Sequence, residues 1–92
     1  MHLIHLHLAR LAGPTPDEVD AALVHDALWA LAPPGAGIEH IRARAGPEGI
    51  DLSLFLSNDI RATDPQSYAR TLYDALARNS RALSTWHVTD TR

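Results

Sequence analysis

The chain has 92 residues, enough for one domain with a small core and too few for two, so burial against a partner is an expected source of further stability. It contains no cysteine, which excludes a disulfide framework and a thiolate nucleophile or ligand, and leaves His, Asp and Glu as the residues to hold any metal. The net charge of −3 sets eleven acids against eight basic residues, all arginine, which excludes a lysine Schiff base and argues against a nucleic-acid partner.

Apolar runs are too short to cross a bilayer, and the first ten residues lack the basic stretch and continuous apolar segment of a secretory signal. The expected setting is the cytoplasm, without a membrane partner. Abundant Ala, Leu and Arg with no Lys points to a GC-rich, bacterial coding bias.

Residues 2–8 read HLIHLHL, a strict alternation that places Ile4, Leu6 and Leu8 on one side of a strand and Leu3, His5 and His7 on the other. Gly13 and Pro14 then break the pattern. Thr15-Pro16-Asp17-Glu18 reads as a helix start, with Thr15 as cap, Pro16 at the first helical position and Glu18 closing a capping box. The expected core stripe is Val19, Ala22, Leu23, Ala27, Ala30 and Leu31, and Pro33-Pro34-Gly35 ends the helix near Ala32. Trp29 falls beside that stripe, where it either closes the helix against the sheet edge, the favoured reading, or anchors a partner.

Residues 37–45 and 50–57 form an expected β-hairpin about Gly46-Pro47-Glu48-Gly49. Ile50, Leu52, Leu54 and Leu56 face inward and Asp51, Ser53, Phe55 and Ser57 outward. In the preceding strand Ile41, Ala43 and Ala45 face in, leaving Ile38, His40, Arg42 and Arg44 outside and Glu39 on the core side. Asp64-Pro65 opens a second helix with the stripe Ala69, Leu72, Tyr73 and Leu76, edged by Tyr68, and Asn79 is its expected left-handed terminator. Residues 83–88, with Trp86, form the expected last strand.

The order β-α-β-β-α-β makes residues 1–92 a single α+β domain, a ferredoxin-like split β-α-β sandwich. Two helices cover one face of a four-stranded antiparallel sheet, whose spatial order is fourth, first, third, second. The open face then collects His5, His7, His40, Arg42, Arg44, Asp51 and Phe55, the candidate ligand-binding residues.

His5 and His7 admit three readings. They are half-buried strand residues satisfied by a carboxylate, water or a second subunit; or metal ligands completed by His40, Asp51 or His87; or acid-base groups, with Arg42 or Arg44 holding an anionic substrate. The motif assigns no metal and implies no cofactor. His2 and His25 are given no role, and the place of His87 depends on the register of the last strand. No glycine-rich phosphate loop is present, Ser53, Ser57 and Ser84 lack a nucleophile-elbow context, and one outward aromatic is too few for RNA recognition by the sheet. The leading expectation is a non-catalytic interaction or accessory module that forms a homodimer through the open face or an edge strand, with a further protein partner or a small anionic ligand. The alternative is a small-molecule or metal-binding protein or enzyme using the His/Arg cluster.

Overall fold

In the computed structural model, which describes residues 1–60 and 63–89, the alternation of the first segment becomes strand β1 (His2–Ala9). Helix α1 (Glu18–Leu31), the hairpin β2 (Ile38–Gly46) and β3 (Gly49–Leu56), helices α2 (Pro65–Ala77) and α3 (Arg81–Ser84), and strand β4 (His87–Thr89) follow. The fold is α+β, with a four-stranded antiparallel sheet in the spatial order β2-β3-β1-β4. The short helix α3 is an addition to the expected series of elements.

Period-2 patterning sets the sheet's inner face. Ile4, Leu6, Leu8, Ile41, Ile50, Leu52, Leu54 and Leu56 are buried and meet α1 and α2 in one core. Each such aliphatic side chain is worth roughly 1.5–3 kcal/mol on burial, offset by the entropy of ordering the chain. Ile38 belongs with this core, not on the outer face. The reason is a register shift between Ile38 and His40, which makes Glu39 an extra residue, turns Ile38 inward opposite Leu56 and leaves Glu39 exposed.

Helix α1 departs from expectation at its start and in its buried face. Its cap is Asp17, which accepts from the Asp20 backbone at 2.9 Å while the Asp20 carboxylate accepts from the Asp17 backbone at 3.1 Å. Thr15 and Pro16 therefore precede the helix, and Glu18 does not close the box. Ala21, Val24 and Leu28 enter the core, whereas Val19 and Leu23 of the expected stripe are 66% and 56% exposed. Both sets recur at spacings of three and four, so periodicity alone does not choose between them. Trp29 is exposed and sets its ring edge-on to His25, one turn back, instead of sealing the sheet edge.

Asp64 caps α2 as expected, accepting from the Gln66 backbone at 3.0 Å, with Pro65 in the first turn. Asn79 is not a left-handed terminator, because among the described residues only glycines have positive φ. The chain instead runs through Ser80, which caps α3, so Leu83 and Ser84 are helical and the strand shortens to His87–Thr89. Tyr73 explains this ending. Its hydroxyl donates to the carbonyls of Leu83, at 3.0 Å, and Trp86, at 2.8 Å, and burial pushes its ionisation well above the usual phenol range. Arg10 closes the opposite side, its guanidinium 4.7 Å above the Trp86 ring, 2.6 Å from the Pro14 carbonyl and 3.6 Å from Asp20.

Candidate functional site

Strand register lays out the open face as rows. Thr89, His7, Asp51 and Arg44 form one row, His5, Ser53 and Arg42 the next, and Leu3, Phe55 and His40 the third. The candidate residues His5, His7, His40, Arg42, Arg44, Asp51 and Phe55 are thereby brought onto neighbouring positions of β1, β2 and β3. Such a gathering requires the antiparallel pairing of strands that are distant in the chain.

Each histidine has its own partner. Nδ1 of His7 lies 2.9 Å from Oδ1 of Asp51, and Nδ1 of His5 lies 3.1 Å from Oγ of Ser53. His40 tilts against Phe55, with ring centroids 5.2 Å apart. The serine, histidines and carboxylate thus form two separate pairs and not one continuous relay, because Ser53 bonds to His5 while Asp51 bonds to His7. No group of three His, Cys, Asp or Glu side chains converges to hold a metal ion among the described residues. His87 is exposed opposite Ala9, and Thr89 occupies the place beside His7.

Gly49 positions His7, a role that sequence reasoning missed. A Cβ there would stand 2.9 Å from Nε2 of His7 and 2.0 Å from the carbonyl oxygen of Leu8. The imidazole occupies the space over the glycine and turns its other nitrogen to Asp51. A glycine two places before an outward acid in a strand was the available signal.

The side chains of Arg42 and Arg44 are exposed and make no hydrogen bond or ion pair with a described residue. Next to them stands an apolar row in which Leu3 is 50% exposed and Phe55 half-buried. At the β1 edge a groove of about 440 Å³ runs between Leu3, His5, Gln66, Ser67, Arg70 and Thr89, and the Gln66 amide donates to the His5 carbonyl at 3.0 Å. Arginine side chains at this face can hold an anion or an acidic protein surface.

A second exposed surface, also unforeseen, lies on the far side of the molecule's core. Val19, Leu23, Trp29 and Leu31 of α1 are exposed, accompanied by Glu18 and Asp26. No helix among the described residues is long and apolar enough to cross a membrane. No protein-family model matches this chain, and comparison with curated proteins and with solved structures gives no match.

Proposed function

We propose that this chain is a non-catalytic interaction module on a ferredoxin-like frame, and that its open sheet face is a self-association surface, with a homodimer as the first assembled state. The observation that carries this reading is the outward apolar pair Leu3 and Phe55, with the His40 ring against Phe55, beside Arg42 and Arg44, which have no ion-pair partner among the described residues. His5 and His7 are each bonded to a side chain of the neighbouring strand, and the His7 ring packs over Gly49, so both are held as parts of the sheet surface, which favours a packed or solvated face. An edge-to-edge contact through β2 is less favoured, since its bulge after Ile38 and the charges of Glu39, Arg42 and Arg44 are features that blunt strand addition.

Sedimentation velocity over an about hundredfold concentration range tests the reading, with Phe55→Glu as the control. The native chain is expected to gain mass with concentration and the variant to remain monomeric. A native monomer at every concentration refutes self-association.

The groove beside His5 supports a second reading, a site for a small anionic ligand, because its volume is in the range of about 300–1,000 Å³ found for small-molecule pockets. Inorganic phosphate and citrate serve as probes. Saturable shifts of the His5 imidazole, lost from the groove in Ser67→Glu, support that reading, and unmoved resonances refute it.

A further inference from the structure

The two exposed surfaces differ in chemistry, and the difference bears on what covers each. Along α1 the residues Val19, Leu23, Asp26 and Ala30 follow one another at spacings of four, three and four, so they form a line along the helix. All four are exposed, and Glu18 adds a second acid at the helix start. α1 has no lysine or arginine, and the Asp26 side chain, which pairs with His25 at 3.0 Å, is 77% exposed. The outer surface of α1 is therefore apolar and acidic. The open sheet face is apolar and basic, with Leu3, Phe55 and His40 beside Arg42 and Arg44.

We infer that these surfaces dock on each other between copies: the outer face of α1 of one copy lies on the open sheet face of the next, in a head-to-tail contact. The inference rests on the reading of the sheet face as a self-association surface and names what occupies it. Charge decides among the three ways of pairing the surfaces. Joining α1 to α1 brings two acidic helices together, with no lysine or arginine on either. Joining sheet to sheet sets the Arg42 and Arg44 pair of one copy against the same pair of the other, with Asp51 as the acid of each open face. The mixed pairing sets the two arginines against Glu18 and Asp26 while each apolar row covers another, and like charges set opposite each other carry a penalty.

Dimensions agree with this arrangement. The line from Val19 to Ala30 is about 16 Å long at 1.5 Å per residue, and the outward rows from Leu3 to His7 extend about 14 Å along β1. A helix laid there adds a third layer to the sandwich. Such a contact is heterologous, so each open assembly keeps a spare sheet face at one end and a spare helix face at the other, and it either grows into a filament or closes into a ring.

Two variants test the inference, each defective in one surface. Arg42→Glu with Arg44→Glu disables the sheet face, and Val19→Gln with Leu23→Gln disables the helix face; these side chains are exposed, and circular dichroism and thermal unfolding check that the fold is kept. If that pair fails to fold, Val19→Gln alone, at a position 66% exposed, takes its place. Sedimentation velocity is expected to show larger species for the native chain and monomers for each variant alone. An equimolar mixture is expected to give a complex of one copy of each and nothing larger, because one working surface remains on either side. High salt is expected to weaken that complex.

A helix-face variant that still dimerises while the sheet-face variant does not means sheet-to-sheet pairing, which overturns the head-to-tail inference and leaves the reading of the sheet face standing. Association of the sheet-face variant alone, or a native monomer throughout, overturns both. Variants that are monomeric alone and fail to combine on mixing overturn the head-to-tail contact.

Discussion

Replacing Gly49 by alanine tests the placement of β1 against β3 and of His7 over the turn. The new methyl would begin 2.0 Å from the Leu8 carbonyl oxygen, where ordinary contact starts at 3.4 Å, so the two backbones must separate by about 1.4 Å. No rotamer relieves this, since the obstructing atom is main chain. A shift of that size breaks hydrogen bonding at the Leu8–Ile50 end of the ladder and displaces the His7 ring from Asp51. At about 1 kcal/mol for each backbone hydrogen bond, with overpacking added, the loss is roughly 2–3 kcal/mol. That corresponds to a fall in melting temperature of roughly 10–20 °C for a domain of this size. Gly46 is the matched control at the other side of the turn. A Cβ there meets its nearest atom at 3.7 Å, and its φ is not positive, so Gly46→Ala is expected to be neutral or stabilising by up to about 1 kcal/mol. Urea unfolding followed by tryptophan fluorescence measures both. A midpoint for Gly49→Ala equal to the native value, or a Gly46→Ala loss as large as that of Gly49→Ala, refutes the account of the turn.

The buried face of α1 is tested by a pair of truncations: Leu28→Ala, at a position 2% exposed, should cost about 2–5 kcal/mol, whereas Leu23→Ala, 56% exposed, should change unfolding free energy by less than about 0.5 kcal/mol. The reverse ranking would put the helix the other way round. Tyr73→Phe leaves the Leu83 and Trp86 carbonyls without their donor and should cost about 1–3 kcal/mol in chemical unfolding; no loss would mean that this hydroxyl does not hold α3 in place. The bond from the Ser67 hydroxyl, aided by backbone N–H groups of Gln66 and Ser67, holds Asp64 below its ordinary value of 3.8. A lowered folded value means that the carboxylate's contribution is complete above 3.8 and is lost as pH falls through the folded value below it. The melting temperature of the native chain should therefore fall more steeply in that acid range than that of Asp64→Asn, and parallel curves would count against the cap.

Several parts of this protein were legible in its sequence because they are settled within a few neighbouring residues. The alternation of residues 2–8 and 50–56 assigns sides of a strand by period alone, which is why the outward positions of His5, His7, Asp51 and Phe55 could be read directly. Asp64-Pro65 announces a helix through a local acceptor and a fixed φ, and glycine and proline mark the hairpin turn. Other features depend on what packs against them. The sequence of α1 offers apolar residues on both sides, and contact with β2 chose Ala21, Val24 and Leu28 over Val19 and Leu23. The bulge after Ile38 follows from pairing with Leu56 and Phe55, and the ending at α3 follows from Tyr73 and Arg10 gripping the segment around Trp86. Local patterning determined which elements form and which way most strand residues face. Tertiary structure decided which helix surface is buried, how His7 sits over Gly49 and which exposed surfaces are left for a partner, since those outcomes depend on the shape and charge of residues distant in the chain.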